Sequence, residues 1–410
     1  MTTVVPAPHG PLAHLRVLDL SVFAQGGVAG GLLRELGAEV IKIERPGRGD
    51  PGRALTEVRP GVSTFFEVFN RGKRSVALDL SRPGGRKVLL RLAEGCDVFL
   101  HNARPGVMAR LGLDYEDVRA VNPEIVYAEG SGFGPLGPDA AHGVVDIIGQ
   151  ARGGLVAVTG TGRPTPAGAI VSDHLGAVYL AVGILAALVH RERTGEGQRV
   201  ECSMLGAMIA AQGWEFGHYL VTGTPPARSG RVHHLMGGLW GIFETADGFL
   251  ALTGVPPEAW PPFLELIERP DLARDERFAT PLARRDFSDE LAQEVAAAFL
   301  HMPTEPLVDR MSGLDIRCTR VQDYERLAAD PQVTENGYVI SVDHPVLGKV
   351  RVPANPLRLS RTPAETPVAA PRLGEDTESV LAAFGVTPGE LKVLRTEGTI
   401  QSPGGHDVRG

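Results

Sequence analysis

Short apolar runs alternate with stretches of helical periodicity through the first half of the chain. RVLDL (16–20) reads as a strand, AQGGVAGG as a Gly-rich turn, LLRELG as the end of a helix, and EVIKIE as a second strand. Gly37 stands where a helix C-cap belongs. The pattern recurs as strand SVALDL, helix GGRKVLLRLAEG and strand DVFLHN. It recurs again as a helix over Tyr115–Val121 and a strand EIVYAEG. Strands alternating with helices predict an α/β fold with a parallel, doubly wound sheet.

Residues 174–190 (HLGAVYLAVGILAALVH) form the most apolar helix, ended by the turn RERTGEGQ and followed by the strand RVECSM. One further helix, GAMIAAQGWEFGHYLV, is expected up to about Val221. TGTPPARSGR (222–231) is rich in Pro and Gly and reads as a linker. Beyond it, WGIFETADGFLALTG predicts a β-hairpin turning at Ala246–Gly248, and PPFLELIE and DELAQEVAAAFLHM predict helices. YVISVDH and GKVRVPA return to strands, with short helices at Glu378–Phe384 and Pro388–Arg395 and a frayed tail. Three segments follow: 1–221 as the first part of a large domain, 222–335 as a smaller α+β domain, and 336–410 as a return to the large one.

The chain has 410 residues, enough for two domains, and its net charge of −8 disfavours a nucleic-acid partner. Cys96, Cys202 and Cys318 are odd in number and far apart, which points to reduced thiols and to neither a disulfide framework nor a zinc motif. The first residues lack a signal-peptide pattern, and the longest apolar stretch is short for a membrane span, so a cytoplasmic protein is expected.

Three motifs bear on chemistry. The first unit has the parts of a dinucleotide site, ending on Glu44, but its glycines do not follow G-x-G-x-x-G. The one match, Gly132 to Gly137, has no helical pattern behind it. Second, Arg45, Arg71, Lys73, Arg74, Arg104 and Arg110 fall at or just beyond expected strand ends, where cations suit a phosphate-rich ligand or simply face solvent. Third, Ser172 or Asp173 precedes the apolar helix and reads as an N-cap; the helix N-terminus should lower the Asp173 pKa. No G-x-S-x-G elbow, P-loop or H-E-x-x-H occurs, and His233–His234 lack spaced metal-ligand partners.

Taken together, RVLDL, LGAEVIKIERPGRGD, FFEVFNRGKRSVALDL, NARPGVMARLGLDYEDV, NPEIVYAEGSGFGPLGP, GILAALVHRERTGEGQRVECSML and IFETADG resemble the family III CoA-transferases, which include formyl-CoA transferase and carnitine CoA-transferase. The related 2-methylacyl-CoA racemases share that fold. The resemblance implies a Rossmann-like large domain, a smaller domain, and an interlinked homodimer. It implies CoA transfer from an acyl-CoA to a free carboxylic acid, with CoA as substrate and no metal or redox cofactor. Asp173 takes the place of the family's nucleophilic aspartate.

Carboxylate attack on a thioester gives a mixed anhydride that keeps the thioester's reactivity, and CoA returns through an aspartyl thioester. Water must be excluded meanwhile. Gly237 and Gly238 stand for the family's shielding loop and could donate N–H groups to an oxyanion. Gln25, Arg45, Lys73, Arg74, Asn102, Arg104, Arg110 and Asp146 are the implied contacts to the CoA substrate. Racemases carry a His directly before the Asp of the segment matching HGVVDIIGQ; here Val145 precedes Asp146 and His142 is out of register, so racemisation is the lesser alternative. An acyl-CoA-binding protein without turnover is the other.

Overall fold

The computed structural model describes residues 10–228, 230, 233, 235–365 and 368–402. From the amino end come β1 (Arg16–Asp19), α1 (Phe23–Glu35), β2 (Glu39–Glu44), β3 (Glu57–Arg59), β4 (Val62–Ser63), α2 (Thr64–Asn70) and β5 (Arg74–Leu78). Next are α3 (Pro83–Ala93), β6 (Val98–His101), α4 (Val107–Leu111), α5 (Tyr115–Val121), β7 (Val126–Ser131) and α6 (Asp146–Arg152). Then follow α7 (Leu155–Val158), α8 (Val171–Thr194), β8 (Arg199–Ser203), α9 (Met204–Ala211), α10 (Gly213–Thr222), β9 (Trp240–Thr245) and β10 (Gly248–Thr253). α11 (Trp260–Leu266), α12 (Pro281–Asp286), α13 (Ser288–Phe299), α14 (Thr304–Ser312), β11 (Cys318–Arg320), α15 (Tyr324–Ala329) and α16 (Pro331–Glu335) come after. β12 (Val339–His344), β13 (Gly348–Pro353), α17 (Thr377–Ala383), α18 (Pro388–Thr396) and β14 (Ile400–Gln401) complete the order.

Two compact units result. The first draws on Met1–Gly153, Ala169–Ala211 and Pro331–Gly410; the second on Gly154–Gly168 and Gln212–Asp330. Thus the second unit takes in α7 and α10, which the sequence reading places with the first part. The single helix expected over 206–221 is two helices, broken at Gln212, whose φ of −103° and ψ of 30° leave the helical range.

The first unit holds a seven-stranded sheet in the order β14-β5-β2-β1-β6-β7-β8. Neighbours are parallel, except that β14 runs antiparallel to β5. Its residues Ile400 and Gln401 therefore extend the sheet where a frayed tail was expected. Side chains alternate between faces. Leu18, Ile41, Val76, Phe99 and Tyr127 enter one core with α3, α5, α17 and α18. Val17, Val40, Val98, Leu100 and Val126 enter another with α1 and α8. Burial on both faces explains why the strands read as near-continuous apolar runs. The architecture is α/β with a largely parallel central sheet, as the sequence predicts.

One local expectation fails. AQGGVAGG is not a turn but the first turns of α1. Its glycines serve close packing: a Cβ at Gly26 would lie 2.1 Å from that of Ser21, and one at Gly31 would lie 3.1 Å from the Phe69 carbonyl oxygen. Helix α8 has the length and composition of a membrane span. Its Ala177, Leu180, Ile184 and Leu188 are nevertheless buried against the sheet, so it is a core helix of this unit.

The second unit packs the antiparallel sheet β11-β10-β9 against helices α11 to α14, around Phe243, Leu250, Phe263, Leu291 and Phe299. The hairpin turns between Thr245 and Gly248, as expected. All three cysteines are free; burial pushes the Cys96 thiol up to about 12.

Candidate functional site

Asp173 is the third residue of α8, inside the helix and not at the cap position the sequence suggests. The residue before the helix is Ile170, and no side chain of that segment caps it. The cap comes from α6. Asp146 Oδ1 accepts from the Ser172 N–H at 2.8 Å and the Asp173 N–H at 3.3 Å. Its other oxygen accepts from Gln150 Nε2 at 2.6 Å, and the same nitrogen donates to the Ala169 carbonyl at 3.1 Å. Gly149 makes the approach possible, since a Cβ there would sit 2.0 Å from Ser172 Oγ. Asp146 was expected to contact CoA. In the structure its carboxylate holds the start of α8, where a negative charge satisfies unpaired N–H groups.

This arrangement reverses the expected electrostatics. The Asp173 pKa rises from 3.8 to about 6, first because the carboxyl is largely buried and second because the Asp146 charge repels it. The Gln25 N–H and His174 act in the opposite direction. The helix terminus does not win, because its N–H groups are already spent on Asp146.

Gln25 belongs to the first turn of α1, so the beginnings of two helices meet at the Asp173 carboxyl. The Gln25 side chain is 3% exposed. It reaches the Ser131 and Cys202 carbonyls at 3.3 and 3.4 Å, in a niche that a Cβ at Gly130 or Gly176 would fill. Its amide is therefore a strut, and its backbone N–H is what faces Asp173.

Just before it, the loop is clamped. Asn102 accepts from the Val22 N–H at 2.8 Å and donates to the Val22 carbonyl at 2.7 Å. Asp50 accepts from the Phe23 N–H at 3.2 Å, and Phe23 takes a φ of 59°. A bulky residue in that region is strained, and such strain persists only where surroundings over-determine it. Asn102 thus clamps the loop.

The cations divide in two groups. Lys73 is fully buried: its Nζ binds Asp19 at 2.8 Å and the Gly27 carbonyl at 2.9 Å. Burial pulls its pKa below the lysine range, against the opposing charge of Asp19. Arg74 begins β5, at the amino end of the strand, and pairs with Glu39 at 2.6 Å and Asp376 at 3.3 Å. Both cations are therefore paired with carboxylates in the structure, Lys73 with Asp19 at the carboxyl end of β1. Arg71 is likewise buried and paired with Glu35. By contrast Arg45 follows the carboxyl end of β2, and Arg104 and Arg110 follow that of β6. All three are exposed, and among the described residues none is in an ion pair.

Beside the Arg104 loop lies a cavity of about 450 Å³, lined by Ala103, Pro105, Met108, Tyr127, Glu129 and Arg199 among others. Buried His101 stiffens its wall. Its Nδ1 accepts from the Ala103 N–H at 3.3 Å, and its Nε2 lies 3.1 Å from Tyr127 Oη and 3.3 Å from Glu129. His142 pairs with Asp139 at 3.3 Å in the turn before α6.

In the second unit, Gly238 has a φ of 79° and its N–H donates to Ser288 Oγ at 2.8 Å. That donor is occupied by the Ser288 hydroxyl in this structure. A Cβ at Gly237 would lie 2.6 Å from Arg285 Cγ. His233 bonds Glu215 at 3.0 Å and stacks on Trp214; His234 lies outside the described residues.

The sequence reading missed Gln150 and His174. Gln150 follows Asp146 by one helical turn, which is a usable signal; His174 had only its place beside Asp173.

The model of CoA-transferase family III matches residues 12–377. The chain is 33% identical over 398 residues to the succinyl-CoA–D-citramalate CoA-transferase of Chloroflexus aurantiacus, covering 96% of this chain and 99% of that one. It is 34% identical over 390 residues to the acetyl-CoA:oxalate CoA-transferase of Acetobacter aceti, covering 94% and 98%. Among solved structures, a CaiB/BaiF family protein from Brucella suis superposes with a TM-score of 0.83 at 28% identity, covering 92% of this chain and 100% of that one.

Proposed function

Because this chain belongs to CoA-transferase family III, we propose that it passes CoA from an acyl-CoA to a free carboxylic acid through covalent intermediates on Asp173. The observation that carries this reading is the Asp173 carboxyl, held between two helix starts with its pKa raised to about 6. At pH 7–8 it is mostly ionised, yet it is more basic than an ordinary aspartate and so a better nucleophile.

One oxygen of Asp173 attacks the thioester carbonyl carbon. The C–S bond breaks, giving a mixed anhydride and CoA thiolate. The thiolate attacks the aspartyl carbonyl carbon, forming an enzyme thioester and releasing the donor's acid. The acceptor carboxylate attacks the aspartyl thioester carbonyl carbon, its C–S bond breaks to release CoA thiolate, and a second mixed anhydride forms. CoA thiolate then attacks the acceptor's carbonyl carbon and restores Asp173. Each step exchanges one acyl bond for another, so the thioester's free energy is conserved.

The Gln25 N–H supports the reading because it steadies the carboxylate without a mobile side chain. Arg45, Arg104 and Arg110, exposed beyond the carboxyl ends of β2 and β6, are the cations assigned to the CoA phosphates. Relatives carry names that pair succinyl-CoA, acetyl-CoA or formyl-CoA with dicarboxylates such as glutarate and oxalate, so a dicarboxylate is the proposed acceptor class.

A homodimer is part of the reading. Val178, Tyr179, Val182 and Val189 on α8 are exposed, as are Trp214, Phe216, Tyr219 and Leu220 on α10. Apolar faces of this kind need a covering partner. Asp173→Ala tests the chemistry: exchange of radiolabelled CoA between acids should vanish while acyl-CoA binding stays within about threefold of wild type, roughly 0.7 kcal/mol. Retained exchange would remove Asp173 from the mechanism.

A further inference from the structure

We propose that buried Lys42 is a positioning residue for the transfer, holding the Ser21–Phe23 turn in the conformation that presents the Gln25 N–H to Asp173. The proposal rests on the Asp173 reading above. Lys42 stands between Ile41 and Ile43 in β2, a strand buried along nearly its whole length. Its side chain is wholly enclosed. A buried ion pair is a poor source of stability, because apolar residues of equal volume pack as well or better. The contacts of Lys42 give its charge another use.

Its Nζ donates to the Ser21 carbonyl at 2.8 Å and pairs with Asp50 Oδ2 at 2.9 Å. Asp50 Oδ1 in turn accepts from the Gly52 N–H at 2.8 Å and from the Phe23 N–H at 3.2 Å. One ammonium therefore grips the turn on both sides of Val22, at the Ser21 carbonyl directly and at the Phe23 N–H through Asp50. Asp19 accepts from the Ser21 N–H at 2.9 Å, and Asn102 holds both polar backbone groups of Val22. Phe23, at φ 59°, is in a left-handed conformation that a phenylalanine leaves unless its surroundings enforce it. Two residues on, the Gln25 N–H meets the Asp173 carboxyl. Its direction follows from the backbone path through Phe23. Burial works against the Lys42 charge, but the carboxylates of Asp19, Asp50 and Glu44 hold its pKa above the ordinary lysine value. Lys42 is thus a permanent cation in this place.

The chemistry shows why the grip matters. When the CoA thiolate adds to the aspartyl carbonyl carbon of the anhydride, the C–O bond to the donor's acyl group is about to break. Until it does, the aspartyl carbonyl oxygen carries the negative charge. A backbone N–H fixed at the Asp173 carboxyl is placed to stabilise that charge without reorganising. Lys42 touches neither the Asp173 carboxyl nor the cations assigned to CoA, so its effect falls on kcat.

The test uses Lys42→Met and, as a second neutral variant too short to reach both Ser21 and Asp50, Lys42→Gln. Each is made alone and together with Phe23→Gly, since glycine takes a positive φ without strain. Circular dichroism gives the folded fraction, hydroxylamine trapping gives the Asp173 adduct, and rates are expressed per folded molecule. In the Lys42 variants kcat should fall about tenfold while KM for acyl-CoA stays within about threefold. The acid limb of the kcat profile should move to higher pH. The groups acting on Asp173 are the Asp146 charge from α6, the Gln25 N–H from α1 and neighbouring His174. Loss of the N–H removes an influence that lowers the Asp173 pKa, so the carboxylate forms at higher pH. Phe23→Gly should return about threefold or more of the kcat lost in either variant, and should not raise kcat when Lys42 is present. A Lys42 that serves only the core would lower the melting temperature and nothing else. Unchanged kcat per folded molecule with an unmoved acid limb would overturn the proposal, as would a fall in kcat that Phe23→Gly does not relieve. Absence of any Asp173 adduct in wild type would overturn the Asp173 reading, and this proposal with it.

Discussion

Asp173→Asn should make the protein more stable at neutral and alkaline pH while abolishing transfer. The carboxyl of Asp173 moves from its ordinary 3.8 to about 6 on folding, mainly through burial and then through the charge of Asp146. A raised carboxyl pKa contributes stability at low pH, where it is protonated in both states, and that contribution is lost as pH rises through about 6. The loss corresponds to about 3 kcal/mol above pH 7, an upper figure because part of the carboxyl reaches water. An amide at this position does not ionise and escapes the loss. The stability difference between variant and wild type should therefore be about 0.5 kcal/mol at pH 4, and grow to about 3 kcal/mol at pH 7–8. Urea unfolding of both proteins at half-unit pH steps measures it. A difference that does not change between pH 4 and pH 8 would refute the claim that a strained charge is stored at this position.

Other substitutions separate the roles of neighbouring residues. Asp146→Asn should weaken the cap on α8 by about 1 kcal/mol in thermal unfolding. It should also move the acid limb of the pH–rate profile to lower pH, though only part of the way, since burial is the larger cause of the shift. Lys73→Met should destabilise by about 3 kcal/mol in urea because buried Asp19 loses its ion-pair partner and keeps only the Ser21 hydrogen bonds and the charge of Lys42. Arg104→Ala, by contrast, should leave stability within about 0.5 kcal/mol and weaken acyl-CoA binding in calorimetry. Gly130→Ala places a Cβ 2.7 Å from the Gln25 amide oxygen. It should cost about 1–3 kcal/mol and lower kcat as the Gln25 N–H is displaced.

The sheet was legible because β2, β6 and β7 are buried on both faces and read as apolar runs whatever their neighbours. Asp173 was legible through the family's segment order, not through local physics, which favoured a plain cap. The glycines of α1 misled for a physical reason. Low helix propensity outweighs packing in a sequence window, whereas in the fold those positions touch Ser21 and Phe69, residues no such window ranks. Lys73 and Arg74 counted as cations in the sequence; only the fold shows that one is enclosed with Asp19 and the other paired with Glu39. The cap from Asp146 spans 26 residues and joins α6 to α8, which no periodicity reports.

The central claim is a covalent intermediate on Asp173. Intact-protein mass after mixing with a panel of acyl-CoAs and quenching with hydroxylamine tests it directly. A hydroxamate mapped by peptide sequencing to Asp173, formed with at least one donor and absent in Asp173→Asn, is the predicted result. A hydroxamate on another carboxylate, or transfer turnover with no adduct at any time point, would contradict it.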